Sequence, residues 1–129
     1  MSIIHAILVH FPIALFVTGW LVATIYKVSG RDPRNITTGW CLLFGNIIGT
    51  LAAIVGWMTA FSVYGGLILF ELQMHAVLGT LIPLLGWVTL YLFIKNSKYW
   101  YWLLTVLVAV VGAAGHFGGY LVHGEFKLW

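Results

Sequence analysis

The side chains of this sequence best suited to binding a cofactor are its five histidines, His5, His10, His75, His116 and His123. A neutral imidazole is a good ligand for haem iron, zinc and copper. The sequence holds no His-Glu-x-x-His, no Gly-x-Ser-x-Gly and no phosphate loop, which are motifs typical of hydrolases and nucleotide-binding enzymes. We therefore expect cofactor ligation and electron transfer, or an accessory role, rather than an enzyme acting on its own.

The composition predicts that the chain lies in a membrane. It is 62% hydrophobic and 7% charged, with a mean hydropathy of +1.04, whereas soluble domains carry about 25% charged residues. A helix that crosses the hydrocarbon core needs about 20 residues, so the 129 residues fit a single domain of four helices. We expect an all-α, up-down bundle with helices near 3–27, 36–63, 67–94 and 99–122, the first beginning at either Ile3 or Pro12.

The positive charge of the chain is concentrated in two short loops. Five of its six basic residues lie there, and the positive-inside rule places such loops in the cytoplasm. Both termini are then expected on the non-cytoplasmic side. The charge is explained by topology, so we do not expect nucleic-acid binding. The basic residues of the two loops are Lys27, Arg31, Arg34, Lys95 and Lys98.

In this topology all five histidines lie in the same, outer half of the membrane. A histidine within a membrane span indicates a functional site by default, although His5 and His123 are also compatible with a simple interfacial position. A bis-histidine haem needs ligands on helices farther apart than directly packed ones, and helices 1 and 3 are diagonal in an up-down bundle. The preferred axial pair is therefore His10 with His75, and His75 with His116 is the second choice. His5 with His123 is a candidate for a second, shallower haem or a metal site.

Residues around these histidines suit the same ligand. Gly115, Gly118 and Gly119 remove side chains from helix 4, where a flat macrocycle needs space, although close helix packing explains them almost equally well. Glu71 lies four residues before His75 on the same helix face, where its carboxylate would accept a hydrogen bond from the imidazole. A solvated interfacial position is the alternative for Glu71.

Two segments carry a resemblance to a known family. The stretch from His5 to His10 with the following Phe-Pro-Ile-Ala-Leu, and the stretch Gly115-His-Phe-Gly-Gly-Tyr-Leu-Val-His123-Gly124, resemble the bacterial membrane-protein family named domain of unknown function twenty-two thirty-one. The resemblance covers nearly the whole chain and implies four helices with a histidine early in helix 3. Ala6 stands where the family often has proline, and His116 stands where many members have an apolar or other residue. The resemblance therefore makes His116 a less secure ligand than His10, His75 or His123.

Together these features predict a small b-type cytochrome-like subunit of the bacterial inner membrane. It is expected to bind one haem b, with a second haem as an alternative, and to carry electrons near the periplasmic face. Its expected partners are lipids, other membrane subunits of a respiratory or photosynthetic complex, and a periplasmic cytochrome or a quinol. The alternatives are an accessory subunit without cofactor, a histidine-ligated zinc or copper site, and a bacteriochlorophyll site.

Overall fold

The computed structural model describes residues 3–67 and 69–123, and over these residues the regular structure is entirely helical. It contains the helices α1 (Ile3–Val28), α2 (Ile36–Tyr64), α3 (Phe70–Ile94) and α4 (Trp100–His123). Each is long and apolar enough to cross a membrane. The predicted all-α, four-helix transmembrane architecture is confirmed.

The start of α1 answers a question that the sequence left open, and the start of α3 corrects its predicted position. Helix α1 begins at Ile3, so Pro12 lies inside it, with a buried ring. Helix α3 begins at Phe70 rather than near residue 67. The reason lies in the preceding turn: Gly65 adopts a left-handed conformation with φ of 68° that ends α2, and the Gln73 side chain donates a 2.9 Å hydrogen bond to the carbonyl of Leu67. This carbonyl is thereby satisfied outside the helix.

The helices form an up-down bundle in which each packs against two others. Helix α1 packs against α2 and α4, and α3 packs against α2 and α4. Among the described residues, α1 makes no close backbone approach to α3, nor α2 to α4. Helices α1 and α3 are therefore diagonal, as the short connections predict.

Basic residues hold together the end of the bundle that carries the 29–35 loop, which we call the basic end. Arg34 donates to the last carbonyls of α3, with 2.7 Å from Nε to the Phe93 oxygen and 3.2 Å from a terminal nitrogen to the Ile94 oxygen. Positive charge is favourable at the C-terminus of a helix. Lys27 Nζ lies 4.0 Å from the ring centroid of Tyr101, which joins α1 to α4. We call the opposite end the histidine end.

Phe16 lies fully buried between α2 and α3. A Cβ added at Gly45 would lie 2.8 Å from Phe16 Cε1, and one added at Gly86 would lie 3.3 Å from Phe16 Cζ. The glycines thus provide the space that the ring occupies. The cavity described below ends on α1 at Pro12 and Ile13. Phe16 lies one turn further along this helix.

Candidate functional site

The histidine half of the bundle contains a cavity of about 400 Å³. All four helices contribute to its wall, which on α4 runs from Val111 to Val122, a length of roughly 16 Å at the helical rise. Most of the wall is apolar, as is typical of ligand cavities. Its histidines and glycines are His5, His10, His75, Gly49, Gly56, Gly79, Gly115, Gly118 and Gly119.

His5 is held against α2 by a hydrogen bond and by a glycine. Its Nδ1 lies 3.1 Å from the carbonyl oxygen of Ala52, and its side chain is 8% exposed. Since a carbonyl can only accept, Nδ1 carries the proton. A Cβ added at Gly56 would lie 2.8 Å from His5 Cε1, so this ring position requires glycine.

His75 repeats this arrangement in the second helical hairpin. Its Nδ1 donates to the carbonyl oxygen of Ala114 on α4 at 2.9 Å. A Cβ added at Gly118 would lie 3.0 Å from His75 Cε1. In both hairpins, therefore, a histidine near the start of the first helix is hydrogen-bonded to an alanine carbonyl of the second helix. It also contacts the glycine that follows this alanine by four residues.

The two hairpins bring His5 and His75 together. Their ring centroids lie 6.0 Å apart and their planes are nearly perpendicular, at 88°. With Nδ1 donating to a carbonyl in each ring, Nε2 is the nitrogen left with a lone pair. Within the described part of the chain, neither Nε2 has a hydrogen-bond partner. The pair thus offers two neutral nitrogen ligands from diagonal helices.

His10 has a different environment. It lines the cavity, but its side chain is exposed, and its Nδ1 is hydrogen-bonded at 2.5 Å to the carbonyl oxygen of Ala6 in its own helix. Among the described residues, the ring that contacts His75 is that of His5. The pairing of His10 with His75 stays a prediction, whereas the neighbour that the structure gives to His75 is His5.

The remaining candidates lie apart from this pair. His116 is exposed, rests against Phe117 and does not line the cavity. His123 is the last residue of α4, and its side chain lies outside the described part, as does any pairing with His5. Glu71 is half-buried, and no hydrogen bond joins it to His75 in the residues described. Over the same residues, no three His, Cys, Asp or Glu side chains form a group that could hold a metal ion.

Sequence reasoning missed the residues that position the histidines. Ala52 and Ala114 act through their backbone carbonyls, which no residue type reveals. A signal was nevertheless present, because each second helix of a hairpin contains alanine followed four residues later by glycine, in Ala52 with Gly56 and Ala114 with Gly118. This spacing places the two residues on one helix face.

Asn46 of α2 lies outside the cavity wall. It is fully buried, and its Oδ1 and Nδ2 have no hydrogen-bond partner in the described structure. A Cβ added at Gly86 would lie 1.9 Å from Oδ1, so the amide packs directly on the α3 backbone.

Comparison of the chain with protein-family models, curated proteins and solved structures finds no match. The site itself is therefore the basis of the functional proposal.

Proposed function

We propose that this chain is a small b-type cytochrome-like membrane subunit that holds one haem b between His5 and His75 and carries electrons near the membrane face at its histidine end. The observation that carries this proposal is the pair of perpendicular imidazoles on diagonal helices, 6.0 Å apart. No other pair of histidine rings in the described structure makes such a contact.

The separation of the rings fits axial ligation of one metal. An imidazole nitrogen lies about 2 Å from a bound metal, and the ring centre lies about 1 Å further, so two axial imidazoles have centroids about 6 Å apart. The hydrogen bonds from Nδ1 to Ala52 and Ala114 are the kind of contact that orients a metal-binding histidine and raises its basicity. When bound, haem would supply reversible one-electron chemistry; the chain would supply ligands, orientation and an apolar environment.

The cavity wall suits a flat, apolar ligand beside these rings. Gly56 and Gly118 make room for the two imidazoles themselves, and the wall is open at Gly79 and Gly115, where an added Cβ would meet nothing within 4 Å. His5 is the third residue of α1 and His75 the sixth of α3, so both lie within roughly 8 Å of a helix start. A cofactor there would exchange electrons at one membrane face. We propose that its partners are a periplasmic cytochrome or a quinol, within a larger complex of the bacterial inner membrane.

A second candidate function is an accessory subunit without cofactor. The same hydrogen bonds favour it, because His5 joins α1 to α2 and His75 joins α3 to α4. The buried His5 imidazole and the half-buried His75 imidazole, each with a carbonyl partner, would then serve to hold the hairpins together. In this case the histidine variants would weaken the fold without changing any cofactor.

The reduced-minus-oxidised absorption spectrum of the purified protein tests the proposal. We expect the bands of a low-spin, bis-histidine haem at about one haem per chain, lost in His5→Ala and in His75→Ala. His116→Ala is the matched control, and it should retain the haem, as should His10→Ala. Free imidazole should restore the bands in His75→Gly, which separates ligation from folding.

Four results would overturn the haem assignment. Full haem content in both His5→Ala and His75→Ala would exclude these ligands. A colourless, metal-free protein from a haem-sufficient host would favour the accessory subunit, whereas long-wavelength pigment bands would indicate bacteriochlorophyll. Metal analysis that found zinc or copper at one equivalent, without haem, would point to a metal site.

A further inference from the structure

The cavity has an opening in the side of the bundle. Four of its wall residues are exposed, and all four lie on α1 or α4; the wall residues of α2 and α3 are buried or half-buried. The cavity therefore opens between α1 and α4. We call this the side opening, formed by His10, Ile13, Gly115 and Val122.

The side opening lies within the membrane-spanning part of both helices. His10 is seven residues from the start of α1 and Gly115 is eight residues from the end of α4, which places them roughly 10 and 12 Å from those ends. At that depth the surface of a membrane helix faces hydrocarbon rather than water. A ligand that enters here comes from the lipid phase.

The rim offers a single hydrogen-bonding group for such a ligand. His10 Nδ1 is engaged by its own helix at Ala6, so Nε2 is an acceptor on an exposed ring. The other rim residues are apolar or glycine, and the Lys and Arg residues of the described chain lie at the basic end. An anionic lipid head group would find no countercharge among them, whereas a neutral ring with a hydroxyl group suits one imidazole acceptor.

We infer that the side opening binds the head group of a quinone-class lipid, with a hydroquinone hydroxyl donating to His10 Nε2 and the isoprenoid tail remaining in the bilayer. The inference rests on the proposed function for its purpose, since a quinone bound here would lie beside the cofactor cavity. Binding itself uses only α1 and α4 and does not require a cofactor.

Photolabelling tests this site. The protein in phosphatidylcholine vesicles is irradiated with a short-chain azidohydroquinone that is kept reduced under anaerobic conditions, and the label is located by mass spectrometry. We expect labelling of α1 and α4 near His10 and Gly115, with protection by excess unlabelled hydroquinone but not by phosphatidic acid. In His10→Leu the labelling should fall about fivefold, the loss expected for one hydrogen bond.

Two glycine variants form a matched pair. A Cβ added at Gly115 or at Gly112 would meet nothing within 4 Å, so phenylalanine has room to begin at either position. Gly115 lines the cavity and Gly112, one turn away, does not. Gly115→Phe should close the side opening and reduce labelling about tenfold, equivalent to about 1.4 kcal/mol, whereas Gly112→Phe should leave it unchanged.

Equal labelling in Gly115→Phe and the unchanged protein would overturn the inference, as would label confined to α2 and α3 or protection by phosphatidic acid. Haem content is measured in the same samples. Haem without labelling at the side opening refutes this inference and leaves the proposed function intact. Labelling at the side opening in a haem-free protein supports the inference and counts against the proposed function.

Discussion

Replacing Gly118 by alanine should destabilise the protein only because His75 is present. A Cβ at this position would lie 3.0 Å from His75 Cε1 and 3.2 Å from Nδ1, so the imidazole has to move. Its movement weakens the 2.9 Å hydrogen bond to the Ala114 carbonyl, worth about 1 kcal/mol. Overpacking adds about 1 to 3 kcal/mol to the loss of stability, and the better helix propensity of alanine offsets about 1 kcal/mol of it. The net loss should be about 1 to 3 kcal/mol.

In a His75→Ala background the same substitution meets no ring. Only the propensity gain remains, so Gly118→Ala should then stabilise the protein by up to about 1 kcal/mol. The double-mutant cycle therefore predicts a coupling energy of about 2 to 4 kcal/mol. The four proteins are compared by unfolding in mixed detergent, followed by circular dichroism.

Gly115→Ala provides the control for this cycle. It lies on the same helix, and an added Cβ there would meet nothing within 4 Å. It should stabilise the protein by up to about 1 kcal/mol, and by the same amount in both backgrounds. If Gly118→Ala cost the same free energy with and without His75, the ring would not occupy the position described, and the arrangement of the α3 and α4 hairpin would have to be abandoned.

Three further predictions concern the rest of the bundle. Gly86→Ala should lower the free energy of unfolding by about 3 kcal/mol, because its Cβ would lie 1.9 Å from Asn46 Oδ1. Unfolding in detergent should show that most of this loss disappears in an Asn46→Ala background. A loss that persisted there would contradict the contact. Arg34→Gln should lower the unfolding free energy by about 1 kcal/mol through loss of its bonds to the α3 carbonyls, whereas an unchanged value would mean that these bonds contribute nothing. In a Cys41→Ala background, Ser29→Cys should react with an impermeant maleimide only from the cytoplasmic side, and labelling from outside would reverse the predicted orientation.

The helices and their arrangement could be predicted from the sequence because they depend on the lengths of the apolar runs and of the connections between them. Four apolar runs of sufficient length, separated by short connections, allow few alternatives to an up-down bundle, and that topology fixes α1 as the diagonal neighbour of α3. The start of α1 was harder to predict, since Pro12 is equally acceptable at the first position of a helix or within a longer one. In the structure Pro12 is inside α1 and packs near Gly49, where an added Cβ would lie 3.4 Å from it.

The sequence could not predict which histidines lie next to each other, because this depends on the rotation of each helix about its axis. His5 and His10 are five residues apart and therefore differ by about 140° around α1, so both cannot face the interior. The buried face of α1 contains His5, Pro12, Phe16 and Ala23. In a soluble protein the buried face of a helix can be recognised because the opposite face is polar. Helix α1 is apolar on all sides, so its sequence does not distinguish the two faces.

The same reasoning explains the position of His116. The buried face of α4 runs through Leu104, Leu107, Val111 and Ala114. His116 follows Ala114 by two residues and is therefore turned by about 200° away from that face. Its outward direction follows from the helical period once the buried face is known, and only tertiary packing identifies that face.

Because one proposed ligand comes from each hairpin, ligation and folding are linked at this site. His5 belongs to the hairpin of α1 and α2, and His75 belongs to that of α3 and α4. A haem bound by both would join the two hairpins. Each imidazole also holds its own hairpin through a carbonyl, so removing one ring weakens both contacts at once. Loss of haem in His75→Ala therefore identifies a ligand only if the fold persists, and rescue of His75→Gly by free imidazole separates the two effects.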